Sequence, residues 1–159
     1  MDSAILVKAV SWEEASAVLL VVRRAVFVVE QGVAEEREVD EHDPESVHFL
    51  ATDPSGEPLG TARLLPSGRV GRVAVRRDLR RQGIGRALME AVCAAAAARG
   101  EESLRLHAQV ESIPFYESLG YVASGAVFEE EGIPHREMEL RLPERRLPEL
   151  PLEEGRGLS

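Results

Sequence analysis

The chain has 159 residues, 44% of them hydrophobic and 30% charged, with a formal net charge of −9. That is enough for one domain with a real core, in the balance of a globular, water-soluble protein. The acidity excludes a general nucleic-acid binder, no apolar run reaches the ~18 residues of a membrane helix, and a single cysteine, Cys93, excludes a disulfide framework or a Cys-rich zinc site.

Residues 4 to 10 read as a strand. Ser11-Trp12-Glu13-Glu14 matches a capping box, and apolar residues at 15, 18, 19, 22, 26 and 29 follow at helical spacing. A helix is expected from Trp12 to Val29, ended by Gly32. The acidic stretch up to Pro44 reads as loop with one short helical turn. Val47–Thr52, Pro58–Leu65 and Arg69–Arg76 read as three strands joined by the tight turns Asp53-Pro54-Ser55-Gly56 and Pro66-Ser67-Gly68, hence an antiparallel meander.

A polar connection leads to a helix from Gly83 to Arg99, stopped by Gly100. Ser103–Gln109 alternates as a strand, with Leu104, Leu106 and Ala108 on one side and Arg105, His107 and Gln109 on the other. Ser112 and Pro114 open a short helix that Gly120 ends. Tyr121–Ser124 and Arg136–Leu142 form a closing strand pair. The domain is assigned to residues 1–142, and 143–159, with three prolines, to a loosely held tail. The fold class is α+β, a mixed and mainly antiparallel sheet of about seven strands flanked by helices.

The charge is uneven. Residues 63–86 hold eight arginines against Asp78, a block of +7, so the remainder sums to −16. Residues 35–45 alone carry seven acids against Arg37. A basic block in an acidic protein points to a local anion site. The strand-to-helix junction Arg80-Arg81-Gln82-Gly83-Ile84-Gly85-Arg86 has the right chemistry for one. Its glycines admit close backbone approach, and the first helical turn offers free N–H groups to a pyrophosphate. No Gly-Lys-Ser/Thr follows, and Leu88 stands where a dinucleotide fingerprint needs its third small residue.

Val73-Ala74-Val75, then Arg80-x-x-Gly83-x-Gly85, resembles the acyl-CoA motif of the GNAT superfamily of N-acetyltransferases. Phe115-Tyr116-Glu117-Ser118-Leu119-Gly120-Tyr121 is similar to its second signature, and the element order matches over residues 4–142. The segments at 28–32, 40–43, 107–109 and 132–135 resemble the ElaA/YjcF-like branch. The resemblance implies transfer of an acetyl group from acetyl-CoA to a primary amine of a small molecule or peptide. Val73, Ala74 and Val75 would pair with the pantetheine arm. Arg80, Arg81, Gln82, Gly83, Ile84, Gly85 and Arg86 would hold the pyrophosphate. Gln109 stands where the superfamily often has Asn, and Tyr116 matches the general acid for the departing thiolate.

His107, on the polar face of its strand, and Glu30 are the candidate bases. Glu30, Gln31 and Glu38 are the candidate acceptor-binding residues, and the acids at 35–45 would suit a cationic amine. The four histidines have no ligand-like spacing, so no metal site is expected. The single cysteine and the lack of a long apolar run point to a cytoplasmic protein with no membrane partner, and a homodimer is allowed. Two rivals share the fold. Arg23-x-x-x-Phe27, Glu38-x-Asp40-x-x-Asp43 and Arg63 resemble the acyl-homoserine lactone synthases, although those lack the Arg80–Arg86 motif. The other rival is a CoA-binding module without turnover.

Overall fold

The computed structural model describes residues 4–143, so all but the first residue of the expected tail lies outside the described residues. Strand β1 (Leu6–Val10) leads into helix α1 (Trp12–Arg23). The Glu14 amide donates to the Ser11 hydroxyl at 3.2 Å, and the Ser11 amide donates to the Glu14 carboxylate at 3.0 Å. This is the reciprocal cap read from the sequence.

The helix does not run on to Val29 with α spacing. Arg24–Glu30 widens into a π-helical segment, in which the Gln31 amide reaches the Val26 carbonyl, five residues back, at 3.0 Å. The change of period leaves Val29 exposed, against the expected apolar stripe. The short turn foreseen in the acidic stretch is α2 (Glu35–Glu38).

β2 (Val47–Thr52), β3 (Pro58–Leu64) and β4 (Arg69–Val75) form the expected meander. Helix α3 (Ile84–Ala98), strand β5 (Ser103–Gln109) and helix α4 (Ile113–Ser118) follow. Strands β6 (Val122–Glu130) and β7 (Ile133–Arg141) close one seven-stranded sheet in the order β1-β2-β3-β4-β5-β7-β6. Among the described residues, only β4 and β5 pair in parallel.

The closing pair is longer than expected. β6 is a mostly exposed edge strand with a register shift between Ser124 and Phe128, so no apolar alternation marks it. Glu131 and Gly132 form its two-residue turn, both at positive φ. Ser112 makes no side-chain cap on α4, contrary to expectation, because a 3-10 turn at Val110–Ser112 has already started the coil. Leu88, Met89, Val92 and Ala96 of α3 pack on Leu104, Leu106, Phe49, Leu64 and Met138 as the main core, with Cys93 partly buried at its margin. No helix among the described residues is long and apolar enough to cross a membrane.

The acidic stretch is not a solvated loop. Arg23 is fully buried and donates to Asp43 through Nη1 at 2.9 Å and Nη2 at 3.1 Å, and to the Glu38 carbonyl at 2.7 Å. Its Nε donates to the Glu38 carboxylate, and its guanidinium lies 5.2 Å from the centre of the Trp12 ring. Arg63 donates to Asp40 at 2.7 Å and to Asp43 at 3.2 Å, and Arg72 reaches Asp40 at 3.1 Å. Burial alone would raise the Asp43 carboxyl. The hydrogen bond from Arg23, the Asp40 amide and the charge of Arg63 outweigh it and hold that carboxyl below its ordinary value. Asp40 is held down likewise, against its own burial, by Arg63 and Arg72.

Removing one partner leaves the other charge buried. Arg23→Met should therefore cost about 3–5 kcal/mol in urea unfolding at neutral pH. Carboxyls depressed in the folded state contribute stability above the ordinary aspartate range, and that contribution disappears as pH falls through their lower folded values. Urea melts should accordingly hold a plateau near neutrality and fall away in acid, with a weaker acid dependence in Asp43→Asn.

Candidate functional site

β4 and β5 pair in register only at Arg69–Arg105 and Val70–Leu106. Beyond that point the strands separate, and a cleft of about 720 Å³ opens between them. A cavity of this size suits a ligand of cofactor dimensions. Gly71–Val75 form one wall, His107 and Gln109 the other. The π-helical segment contributes Phe27 and Glu30, and Gln31 follows directly after it. Arg72 sits at φ 48, where β4 carries one residue more than β3 and the register shifts opposite Thr61–Arg63. This bulge turns the strand toward the cleft. The Thr61 hydroxyl donates to the Arg72 carbonyl at 3.2 Å, and Arg72 Nε donates to the Glu38 carbonyl at 3.0 Å.

The far end of the cleft is the N-terminus of α3. Gly83 caps it at φ 88, a backbone conformation that disfavours a Cβ, with no atom within 4 Å of the space a Cβ would take. The first turn holds no acid, and its amides at residues 84–86 have no partner within the helix. Helix dipole and free N–H groups together suit an anionic diphosphate. Gly85 serves a different end from Gly83, since a Cβ there would lie 3.1 Å from the Phe115 ring. Its small size lets α4 pack against the start of α3.

The basic block is mostly paired. Arg63 and Arg72 hold Asp40, Arg69 approaches Glu137, and Arg76 holds Glu57. Arg80 grips Glu30 with two bonds, at 2.7 and 2.6 Å, while its Nε donates to the Val75 carbonyl at 3.0 Å. Among the described residues, Arg81 and Arg86 make no side-chain hydrogen bond or ion pair. Glu30 is held below its ordinary carboxylate range by the Arg80 hydrogen bond, so it is a poor base. Glu38 reaches the wall of a second cavity of about 470 Å³, yet it is 2% exposed and committed to Arg23. The expected acceptor contact at Glu38 therefore gives way to a structural ion pair.

Gln109 Nε2 donates to Gln31 Oε1 at 3.0 Å, which ties the β5 wall to the end of the π-helical segment. Tyr116 is 7% exposed, lines the cleft, and meets the Phe115 and Tyr121 rings edge-on at 5.0 and 5.7 Å. Burial pushes its phenol up, so it keeps its proton at neutral pH. His107 does not stand free. Nδ1 lies 2.8 Å from Glu130 and Nε2 lies 3.1 Å from Glu137. Glu130, Glu137 and Arg72 were not singled out by sequence reasoning. Glu137 faces His107 only through the β5–β7 register, and Glu130 lies in the part of β6 without alternation.

Residues 11–142 match the family model of the acetyltransferase (GNAT) domain. The chain belongs to the GNAT acetyltransferase family. YjcF of Bacillus subtilis, described as an uncharacterized N-acetyltransferase, is 39% identical over 121 residues, 74% of this chain and 86% of YjcF. The crystal structure of Escherichia coli ElaA superposes with a TM-score of 0.77 at 28% identity, covering 87% of this chain and 100% of that one. The CoA-dependent acyl-homoserine lactone synthase BjaI superposes with a TM-score of 0.71 at 18% identity, covering 87% of this chain and 84% of its own, a likeness of fold alone.

As a GNAT acetyltransferase, the chain uses an acyl-CoA cosubstrate. Its cleft fits that ligand by three features: the unpaired edge of β4, the acid-free first turn of α3, and the open space at Gly83. The residues that resemble the lactone synthases (Arg23, Glu38, Asp40, Asp43 and Arg63) hold one another in the interior network.

Gly83→Val forces a branched Cβ into the left-handed region and into the open approach to the first-turn amides. Calorimetric titration with acetyl-CoA should show affinity reduced tenfold or more, with a cooperative melt retained. Gly85→Ala should act chiefly on stability, because its Cβ meets a ring and not open space.

Proposed function

We propose that this GNAT acetyltransferase moves an acetyl group from acetyl-CoA to a primary amine of a small molecule or peptide by direct attack. The observation that carries the reading is the cleft between β4 and β5, with the α3 N-terminus at one end and Tyr116 on its wall. Acetyl-CoA, when bound, supplies the activated thioester. The chain's own groups do the rest.

The β4 edge from Val73 to Val75 aligns the ligand as an added strand, and the residues from Arg81 to Arg86 hold its diphosphate. Val75 offers less than a free strand would, because its carbonyl already accepts from Arg80. Gln109, steadied by Gln31, supplies a side-chain amide at the mouth. Alignment of two reactants in one cleft supplies much of the acceleration. Tyr116 holds its phenolic proton through burial and donates it to the departing sulfur. The amine gives its own proton to solvent, which reaches the half-exposed carboxylate–imidazole cluster of His107, Glu130 and Glu137.

The test is thiol release from acetyl-CoA across a panel of polyamines, amino acids, aminoglycosides and peptide N-termini. Acceptor-dependent release supports the reading. Acetyl-CoA binding with no release for any amine would favour a CoA-binding module, and no binding at all would sink the reading. Tyr116→Phe keeps the packing and removes the donor. It should lower kcat about 100-fold while leaving the KM for acetyl-CoA within twofold; an unchanged kcat would take Tyr116 out of the acid role.

A further inference from the structure

The cleft and the second cavity meet along six shared residues: Phe27, Gln31, Arg72, Gln109, Glu130 and His135. If the cleft takes the acyl donor, an acceptor reaching it from the second cavity must pass this junction. The six include two residues with permanent charge. Arg72 is committed to the Glu38 and Arg37 carbonyls and to Asp40. Glu130 is not fully committed. Oε1 faces His107 Nδ1 at 2.8 Å, and no hydrogen bond from the described residues reaches Oε2. Its side chain is 48% exposed, so a ligand can reach that oxygen.

The group behind Glu130 is ordered from several sides. His107 is the first β5 residue past the last β4–β5 pair whose side chain stands on the polar face. The Phe128 ring meets the imidazole edge-on at 4.9 Å and stacks on His135 at 6.0 Å. Glu137, from β7, lies 3.1 Å from His107 Nε2, and Arg69, from β4, lies 3.5 Å from Glu137. Both ring nitrogens thus face carboxylates. His107 has no open lone pair for a substrate, and it orients Glu130.

Three of the other acids lining the second cavity are already engaged, and the fourth, Glu36, does not line the junction with the cleft. Glu38 is held by Arg23, Asp40 by Arg63 and Arg72, and Glu131 by Arg37 at 3.1 Å.

We propose that Glu130 is the residue that anchors the acceptor's ammonium group, with His107 and Glu137 as positioning residues behind it, so that the acceptor is a cationic primary amine presented from the second cavity. This deepens the N-acetyltransferase reading and rests on it. One charge-assisted hydrogen bond to an ammonium group sets the scale of the expected effect.

Spermidine and tyramine serve as cationic probes, and glutamate as an amine with net negative charge, in the thiol-release assay. Glu130→Gln should raise the KM for the cationic probes about tenfold or more while leaving the KM for acetyl-CoA within twofold. Glu130→Asp should recover part of the loss, and His107→Gln should give a smaller rise of the same kind. An unchanged KM for cationic amines in Glu130→Gln, or glutamate used as well as spermidine, would overturn the assignment.

Calorimetry with spermidine on the CoA-loaded protein repeats the comparison without turnover. Binding that weakens tenfold in Glu130→Gln supports the anchor. No binding to the wild-type chain, or equal binding to both, overturns it. Failure of the wild-type chain to bind acetyl-CoA would overturn the enzymatic reading together with this one, whereas an unaltered Glu130→Gln in a chain that binds acetyl-CoA overturns this one alone.

Discussion

Two residue pairs hold β4 to β5, and the rest of the site depends on their number being so small. A parallel pair that zipped through to Val75 would fill the cleft with its own hydrogen bonds. Because pairing stops at Val70 and Leu106, the next residues of both strands stand apart and line open space. The bulge at Arg72 makes the divergence durable. A non-glycine residue at φ 48 is strained, and it persists because the Thr61 hydroxyl and the carbonyls of residues 37 and 38 hold its main chain and side chain.

The buried ion network fixes the other side of that opening. Desolvating Arg23 and Asp43 is costly, and the geometry that offsets the cost is fully engaged: two bonds to one carboxylate, one to a second, and one to a carbonyl. The consequence is positional. Segment 38–43, which follows the single turn of α2, is locked against α1, β3 and β4, and the second cavity inherits its wall. The sign split along the chain thus serves the fold first. Arg63 and Arg72 of the basic block lie against Asp40 and Asp43, Arg80 is taken by Glu30, and what remains at the α3 N-terminus is Arg81, Arg86 and backbone N–H groups.

Much of the scaffold was legible in the sequence. The Ser11 box, the meander turns and the alternation of β5 each act within a few residues, and each stands as read; the helix expected from Gly83 begins one residue later, with Gly83 as its cap. Most of the errors have one cause. The π-helical segment, the length of β6, and the burial of Glu38 and Asp43 answer to partners far along the chain. In the site, the phosphate cradle and Tyr116 carry local signatures. The pairing of Glu30 with Arg80, 50 residues on, does not, nor does the meeting of Glu130 with His107, 23 residues apart.

The sequence alone determined the element order, the strand-to-helix junction that can cradle a diphosphate, and the family to which those motifs belong. These rest on backbone propensity and side-chain period, which are short-range properties. Tertiary structure alone decided which charges are free. An arginine's role depends on whether a carboxylate stands within about 3 Å of it, and that distance is set by how the strands register and where they part. The same residue types became an interior lock at Arg23 and Asp43, a clasp at Arg80 and Glu30, and an open oxygen at Glu130.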